Sequence, residues 1–100
     1  MPQTDITLVC WRDIPAQVIV GKGRKAAKAI LPERFEQAID RAAMKVGASD
    51  TDAYLAEWRK LSLDPQEGDP SDIAAREVAR LDAEFDQDRL KALIANDGWA

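Results

Sequence analysis

The period of the apolar residues changes near Pro32, and that change does most to limit what this chain can fold into. Before it the period is two. Residues 5–11 read Asp-Ile-Thr-Leu-Val-Cys-Trp, so Ile6, Leu8 and Cys10 alternate with Thr7, Val9 and Trp11. Alternation rich in β-branched and aromatic residues marks a strand. Residues 16–20, Ala-Gln-Val-Ile-Val, form a second strand, and their apolar run suggests cover on both faces. Between the two, Arg12-Asp13-Ile14-Pro15 breaks the pattern, and Pro15 steers Ile14 away from helical geometry. Gly21-Lys22-Gly23-Arg24 signals a turn, because either glycine can take a positive φ. Residues 25–31 are divided: their Ala and Lys favour helix, while Pro32 opposes it at Leu31. A third antiparallel strand is expected there.

After Pro32 the period becomes helical. Phe35, Ile39, Ala42, Ala43 and Val46 fall on one face of a helix over 32–46. Pro32 suits its first position, Glu33 and Glu36 complement the dipole of its first turn, and Gly47 closes it as a left-handed cap. Ser49 to Asp52 resembles a capping box. Tyr54, Leu55, Trp58 and Leu61 then fit a short helix over 51–61, followed by a loop over 62–70 rich in Pro, Gly and acid. Ser71 is placed to cap a third helix, whose stripe is Ile73, Ala74, Val78, Leu81 and Phe85. The phase shifts at Asp86-Gln87-Asp88, where that helix kinks or restarts before ending at Asn96-Asp97-Gly98. Strands first and helices after predict an α+β domain, not a βαβ fold. The expected form is a small antiparallel meander of two or three strands packed against three C-terminal helices.

One hundred residues suffice for one domain with its own core. Histidine is absent and Cys10 is the one cysteine, which removes the commonest general base, the commonest metal ligand and any internal disulfide. No cofactor or metal is expected, and an enzyme acting alone is disfavoured. Met1–Ile6 has no basic-then-apolar leader, and no run approaches the roughly 20 apolar residues of a membrane helix. A cytoplasmic protein without membrane contact is expected. The net charge of −4 hides an asymmetry: residues 1–48 hold eight Lys/Arg against five Asp/Glu, and residues 49–100 hold six against thirteen.

Two polar turns are the candidate contact sites. Lys22, Arg24, Lys25 and Lys28 crowd the glycine-bearing turn. Their cations and the exposed backbone N–H groups can hold an anion, or they can simply be a solvated cluster that protects a strand edge. Nucleic acid is the weaker partner, because its binders are usually basic overall. In the Arg12–Asp13 turn, Asp13 can bond back to the backbone and leave Arg12 for a carboxylate or phosphate. Alternatively the two pair locally, or with Arg34 or Glu36. Trp99, after Gly98, is either a binding anchor or a tail folded onto the third helix. Cys10, facing inward with Ile6 and Leu8, reads as core. The acids Asp82, Glu84, Asp86 and Asp88 lack the glycine and terminal glutamate of a calcium loop and read as a solvated face.

Several segments carry a resemblance: Trp11-Arg12-Asp13-Ile14-Pro15-Ala16-Gln17-Val18, Gly21-Lys22-Gly23-Arg24, Leu31-Pro32-Glu33-Arg34-Phe35, Ala38-Ile39-Asp40, and Tyr54-Leu55 followed by Trp58. Together they resemble the small bacterial virulence factor family, related to the domain within conserved virulence factor C. The resemblance covers about residues 4–60. It implies no catalytic residue. It suggests an accessory role beside folate-dependent one-carbon or methyl-transfer enzymes. The expected function is therefore a noncatalytic protein-interaction module contacting its partner through Arg12, Asp13, Lys22, Arg24, Lys25, Lys28 and Trp99. The alternative is a binder of a phosphorylated or polyanionic small molecule through the same basic hairpin.

Overall fold

A computed structural model describes residues 3–48 and 52–100. The expected strands form: β1 (Thr4–Trp11), β2 (Ile14–Val20) and, after a 3-10 turn at Gly23–Lys25, β3 (Ala27–Ile30). Helices α1 (Glu33–Lys45) and α2 (Asp52–Ala56) follow, then β4 (Trp58–Gln66), α3 (Pro70–Glu84) and α4 (Gln87–Ala95). The architecture is α+β, with four antiparallel strands in the order β3-β2-β1-β4.

The fourth strand corrects the expectation of two or three. Residues 58–66 were expected to end a helix and begin a loop. Trp58 and Leu61 do fit a helical stripe, but Leu61 and Leu63 also alternate with Lys60, Ser62 and Asp64. Pairing decides between the two. β1 is the longest of the three N-terminal strands, and β4 pairs with it from Thr4↔Gln66 to Trp11↔Trp58. Pro65 is tolerated because β4 is an edge strand, where a missing N–H interrupts no ladder.

The register sorts the side chains. Ile6 faces Val20 and Leu63, and Leu8 faces Val18 and Leu61. This is the face the helices cover, with Ile6, Val18 and Val20 almost fully enclosed; it opens towards β4, where Leu61 is exposed. α3 packs against β2 and β3, adding Ile73, Ala74 and Leu81 to the core. α1 packs against β2 and α4 and buries Phe35, Ala38, Ile39, Ala42 and Ala43.

The helix ends follow the sequence with two shifts: Pro32 is the residue before the first turn of α1, with an extended ψ of 155°, and not its first helical position, and the cap of α3 moves. Gly47 (φ 71°) closes α1, with Ala48 N–H donating to the Ala43 carbonyl at 2.8 Å. The cap expected at Ser49 falls outside the described residues. α3 is capped by Asp69 instead of Ser71: its carboxylate accepts from Ser71 N and Asp72 N, and Pro70 takes the first helical position. The chain breaks at Phe85 and restarts as α4, where Asp86 accepts from Arg89 N at 2.8 Å.

Candidate functional site

Arg12 and Asp13 form a two-residue turn between β1 and β2, with Trp11 paired to Ile14 across it. Arg12 has a φ of 53°, a conformation that non-glycine residues adopt at a cost of about 1 kcal/mol or more. Contacts from distant residues hold it there. Trp11 is fully buried; its ring stacks on Tyr54 at 5.9 Å, and its Nε1–H donates to the Tyr54 carbonyl at 2.9 Å. The Arg12 guanidinium lies over both Trp11 and Trp99, at 4.9 and 5.2 Å from the ring centroids. It donates to the Asp97 carbonyl at 2.6 Å and pairs with Glu57 at 3.6 Å. Asp13 pairs with Arg59 at 2.5 Å and accepts from Ala100 N at 2.7 Å, while Asp13 N donates to the Gly98 carbonyl at 2.8 Å.

The turn therefore joins Arg12, Asp13 and Trp99 to one another. Their partners are Glu57, Arg59 and residues 97–100, in place of the expected Arg34 or Glu36. Arg34 instead ties α1 to the end of α3 through Asp82 and the Phe85 carbonyl. The tail stays bonded to the end of α4, with Gly98 N donating to the Leu93 carbonyl at 2.7 Å, and reaches onto this turn, leaving Trp99 37% exposed.

The second turn is built differently. Gly21 (φ 95°) and Gly23 (φ 66°) supply its positive φ values. Gly21 N bonds to the Asp5 carbonyl, and Lys22 pairs with the Asp5 carboxylate at 3.0 Å. Both side chains of that pair are well exposed, so it contributes little. Arg24 and Lys28 are exposed and make no ion pair among the described residues. Lys25 closes the 3-10 turn; its side chain lies outside the described part of the structure.

Lys28 connects this turn to the outer face of the sheet. Across the strands the register sets Lys28, Ile19, Thr7 and Ser62 in one row, and Ile30, Gln17, Val9 and Lys60 in the next. α2 covers the end of this face at Trp11, where Tyr54 meets Trp58 edge-on at 5.9 Å. Beyond that cover lies a groove of ≈ 320 Å³ whose floor is Val9 and Gln17 and whose walls include Ile30, Ile39, Tyr54 and Trp58. Ile30 is 77% exposed. Glu36 is the one carboxylate in the lining.

Sequence reasoning missed Ile30, Tyr54, Trp58 and Lys60 as members of a shared surface. The available signal was alternation: Lys28 and Ile30 share one parity in β3, and Trp58, Lys60 and Ser62 share one in β4. It could not be used while 58–61 read as helix.

Burial pushes the Cys10 thiol up to about 11, with nearby Arg59 lowering it and Asp13 raising it. Such a thiol is a poor nucleophile near neutral pH. The acids expected on a solvated face are partly engaged: Asp82 with Arg34, Glu84 with Arg80, and Asp86 as a cap. Hydrogen bonding to Glu77 raises the pKa of Arg80, and Glu77 also accepts from Gln66 Nε2 at 2.6 Å, tying α3 to β4. Among the described residues no three His, Cys, Asp or Glu side chains are grouped as a metal site, and no helix is long and apolar enough to cross a membrane.

Fold and site define a small α+β domain whose sheet is packed on one face and partly open on the other. The family described as "Virulence factor" matches residues 9–94, and the chain belongs to that family. The match runs on through α3 and most of α4, beyond the first 60 residues that carried the resemblance. No curated protein and no solved structure matches the chain.

Proposed function

We propose that this domain is a noncatalytic interaction module that receives an acidic, apolar-edged segment of a partner protein on its open sheet face. The observation that carries this reading is the position of Ile30. A β-branched apolar side chain stands 77% exposed beside a groove, on the same face as Lys28 and Lys60. An isolated exposed apolar residue needs no explanation, but this one lines a groove with Tyr54 and Trp58, beside Lys28 and on a face that carries Lys60 at its far edge. Aromatic and aliphatic side chains bordered by charge make a binding patch. The cations name the complementary charge, and Arg24 and Lys28 have no acidic partner among the described residues of their own chain. The partner suggested by the family resemblance is a folate-dependent one-carbon or methyl-transfer enzyme.

The test is site-specific crosslinking in cells, with a photoreactive residue at position 30 or, as control, at position 76 on α3. One protein should crosslink in near-stoichiometric yield from position 30 and not from 76. Its attached peptide should be acidic and apolar, and Lys28→Glu should abolish the product. Equal labelling from both positions, or none from position 30, sinks the reading. If the hairpin instead serves a small anion, crosslinking fails while Lys22→Ala/Arg24→Ala removes a salt-sensitive ligand signal.

A further inference from the structure

The other flank of α1 carries a second concave surface. Ala38 and Ala42 keep α1 slim where α4 packs on it, and Leu90 and Leu93 of α4 turn into the core. Beside that contact runs a groove of ≈ 290 Å³. Gln37 and Arg41 line it from α1, and Gln87 and Lys91 from α4; in each helix the two are four residues apart and so share one face. Leu90 and Ile94 give it an apolar side, and Arg34 also lines it.

No carboxylate lines this groove, although the chain carries more acids than bases. Arg34 is engaged by Asp82 and the Phe85 carbonyl. Arg41 and Lys91 are exposed and make no ion pair among the described residues. The nearest acids of α4 lie at its start: Asp86 is occupied as the helix cap, and Asp88 is not among the lining residues. Two helices thus bring an unpaired guanidinium and an unpaired ammonium to one concavity, with amide donors beside them and an apolar surface below.

We infer that the α1–α4 groove binds a small organic phosphate monoester. Arg41 presents two parallel N–H donors to the phosphate oxygens, Lys91 adds a compact second charge, and together they match a dianion. The amides of Gln37 and Gln87 donate to remaining oxygens. The apolar part of the ligand lies on Leu90 and Ile94. The volume sits at the lower end for small-molecule sites, which suits a compact ligand. This site is on the opposite flank of α1 from Glu36 and Ile39, which line the sheet groove, so it stands or falls independently of the interaction reading.

The test is a backbone-amide NMR titration of the full chain with phenyl phosphate, inorganic phosphate and benzoate at low ionic strength. Phenyl phosphate should saturate with shifts centred on Gln37, Arg41, Gln87 and Lys91, and bind at least about five-fold tighter than either other probe. Arg41→Ala/Lys91→Ala should weaken it by about ten-fold or more, whereas Lys22→Ala/Arg24→Ala/Lys28→Ala should leave it within about two-fold. If the double variant fails to fold, Arg41→Gln and Lys91→Gln singly should each cost about three-fold. Phenyl phosphate binding no tighter than inorganic phosphate would mean an adventitious ion only and overturn the site. So would shifts centred on the 22–28 hairpin, or an affinity indifferent to Arg41 and Lys91.

Discussion

The two polar turns of the sheet differ in what holds them. The Arg12–Asp13 turn takes its partners from sequence positions up to 87 residues away, and Arg12 is only 15% exposed there. The Lys22–Lys28 turn is shaped by its own glycines and one exposed ion pair with Asp5. Both are short, charged and set between strands. A polar turn is free to meet a partner only where its own chain has not already supplied one. Arg12, Asp13 and Trp99 serve to fasten the tail and β4 to the hairpin. Lys28, Arg24 and the neighbouring Ile30 remain available.

The largest expected contrast is between two apolar residues. Trp11→Ala removes a fully buried ring under the fastened turn and should cost about 3–5 kcal/mol in urea unfolding. Ile30→Ser on the open face should change stability by no more than about 0.5 kcal/mol. If Ile30→Ser were as damaging as Trp11→Ala, that face would be part of the core and the contrast would collapse.

Next come the charged groups. Asp13→Ala strands Arg59 and frees Ala100 N, and should cost about 1–3 kcal/mol. Lys28→Ala should be neutral within about 0.5 kcal/mol. A double-mutant cycle on Asp13 and Arg59 should show a coupling near 1 kcal/mol, larger than the value for the exposed Lys22–Asp5 pair.

Cys10, in β1 just before the fastened turn, adds a pH test. Its folded pKa of about 11 lies above the ordinary 9.0 because burial disfavours the thiolate. As pH rises from about 9 towards 11, the unfolded chain loses the thiol proton while the folded chain keeps it. Stability should therefore fall across that window, by about 1–2 kcal/mol, and the fall should shrink in Cys10→Ala. Identical slopes for the two proteins between pH 8.5 and 10.5 would contradict the buried thiol.

The smallest contrast concerns glycines. A Cβ at Gly98 (φ 92°) would lie 3.1 Å from the Trp11 ring and 3.2 Å from Arg12 Cδ, while one at Gly23 (φ 66°) would meet nothing within 4 Å. Both alanine variants incur backbone strain of about 1 kcal/mol. Gly98→Ala should exceed Gly23→Ala by a further increment, read as a lower melting temperature, because the tail must shift off the turn.

Much of the fold was legible because it follows from near neighbours in the chain. The parity of Ile6, Leu8 and Cys10, the stripe from Phe35 to Ala43 and the glycine at position 47 each carry their own local reason. The break at Asp86 was visible as a slip in helical phase. β4 was not legible, since its leucines satisfy two periods at once and its proline reads as a loop until it stands on a sheet edge. The candidate site was only half visible. The cations of the basic turn are explicit in the sequence. Their union with Ile30, Trp58 and Lys60 needs β4 in register beside β1.

The sequence by itself determined that the chain begins as strands and ends as helices, which faces are apolar, and that no histidine is present for acid–base or metal chemistry. Those properties reside in residue types and their spacing over a few positions. Tertiary structure alone decided which polar groups remain available. Arg12 and Lys28 look equally free in a linear chain. Folding brings residues 57–59 and 97–100 onto the first, and no acid of the described chain onto the second. That outcome depends on contacts between segments dozens of residues apart, which local spacing does not encode.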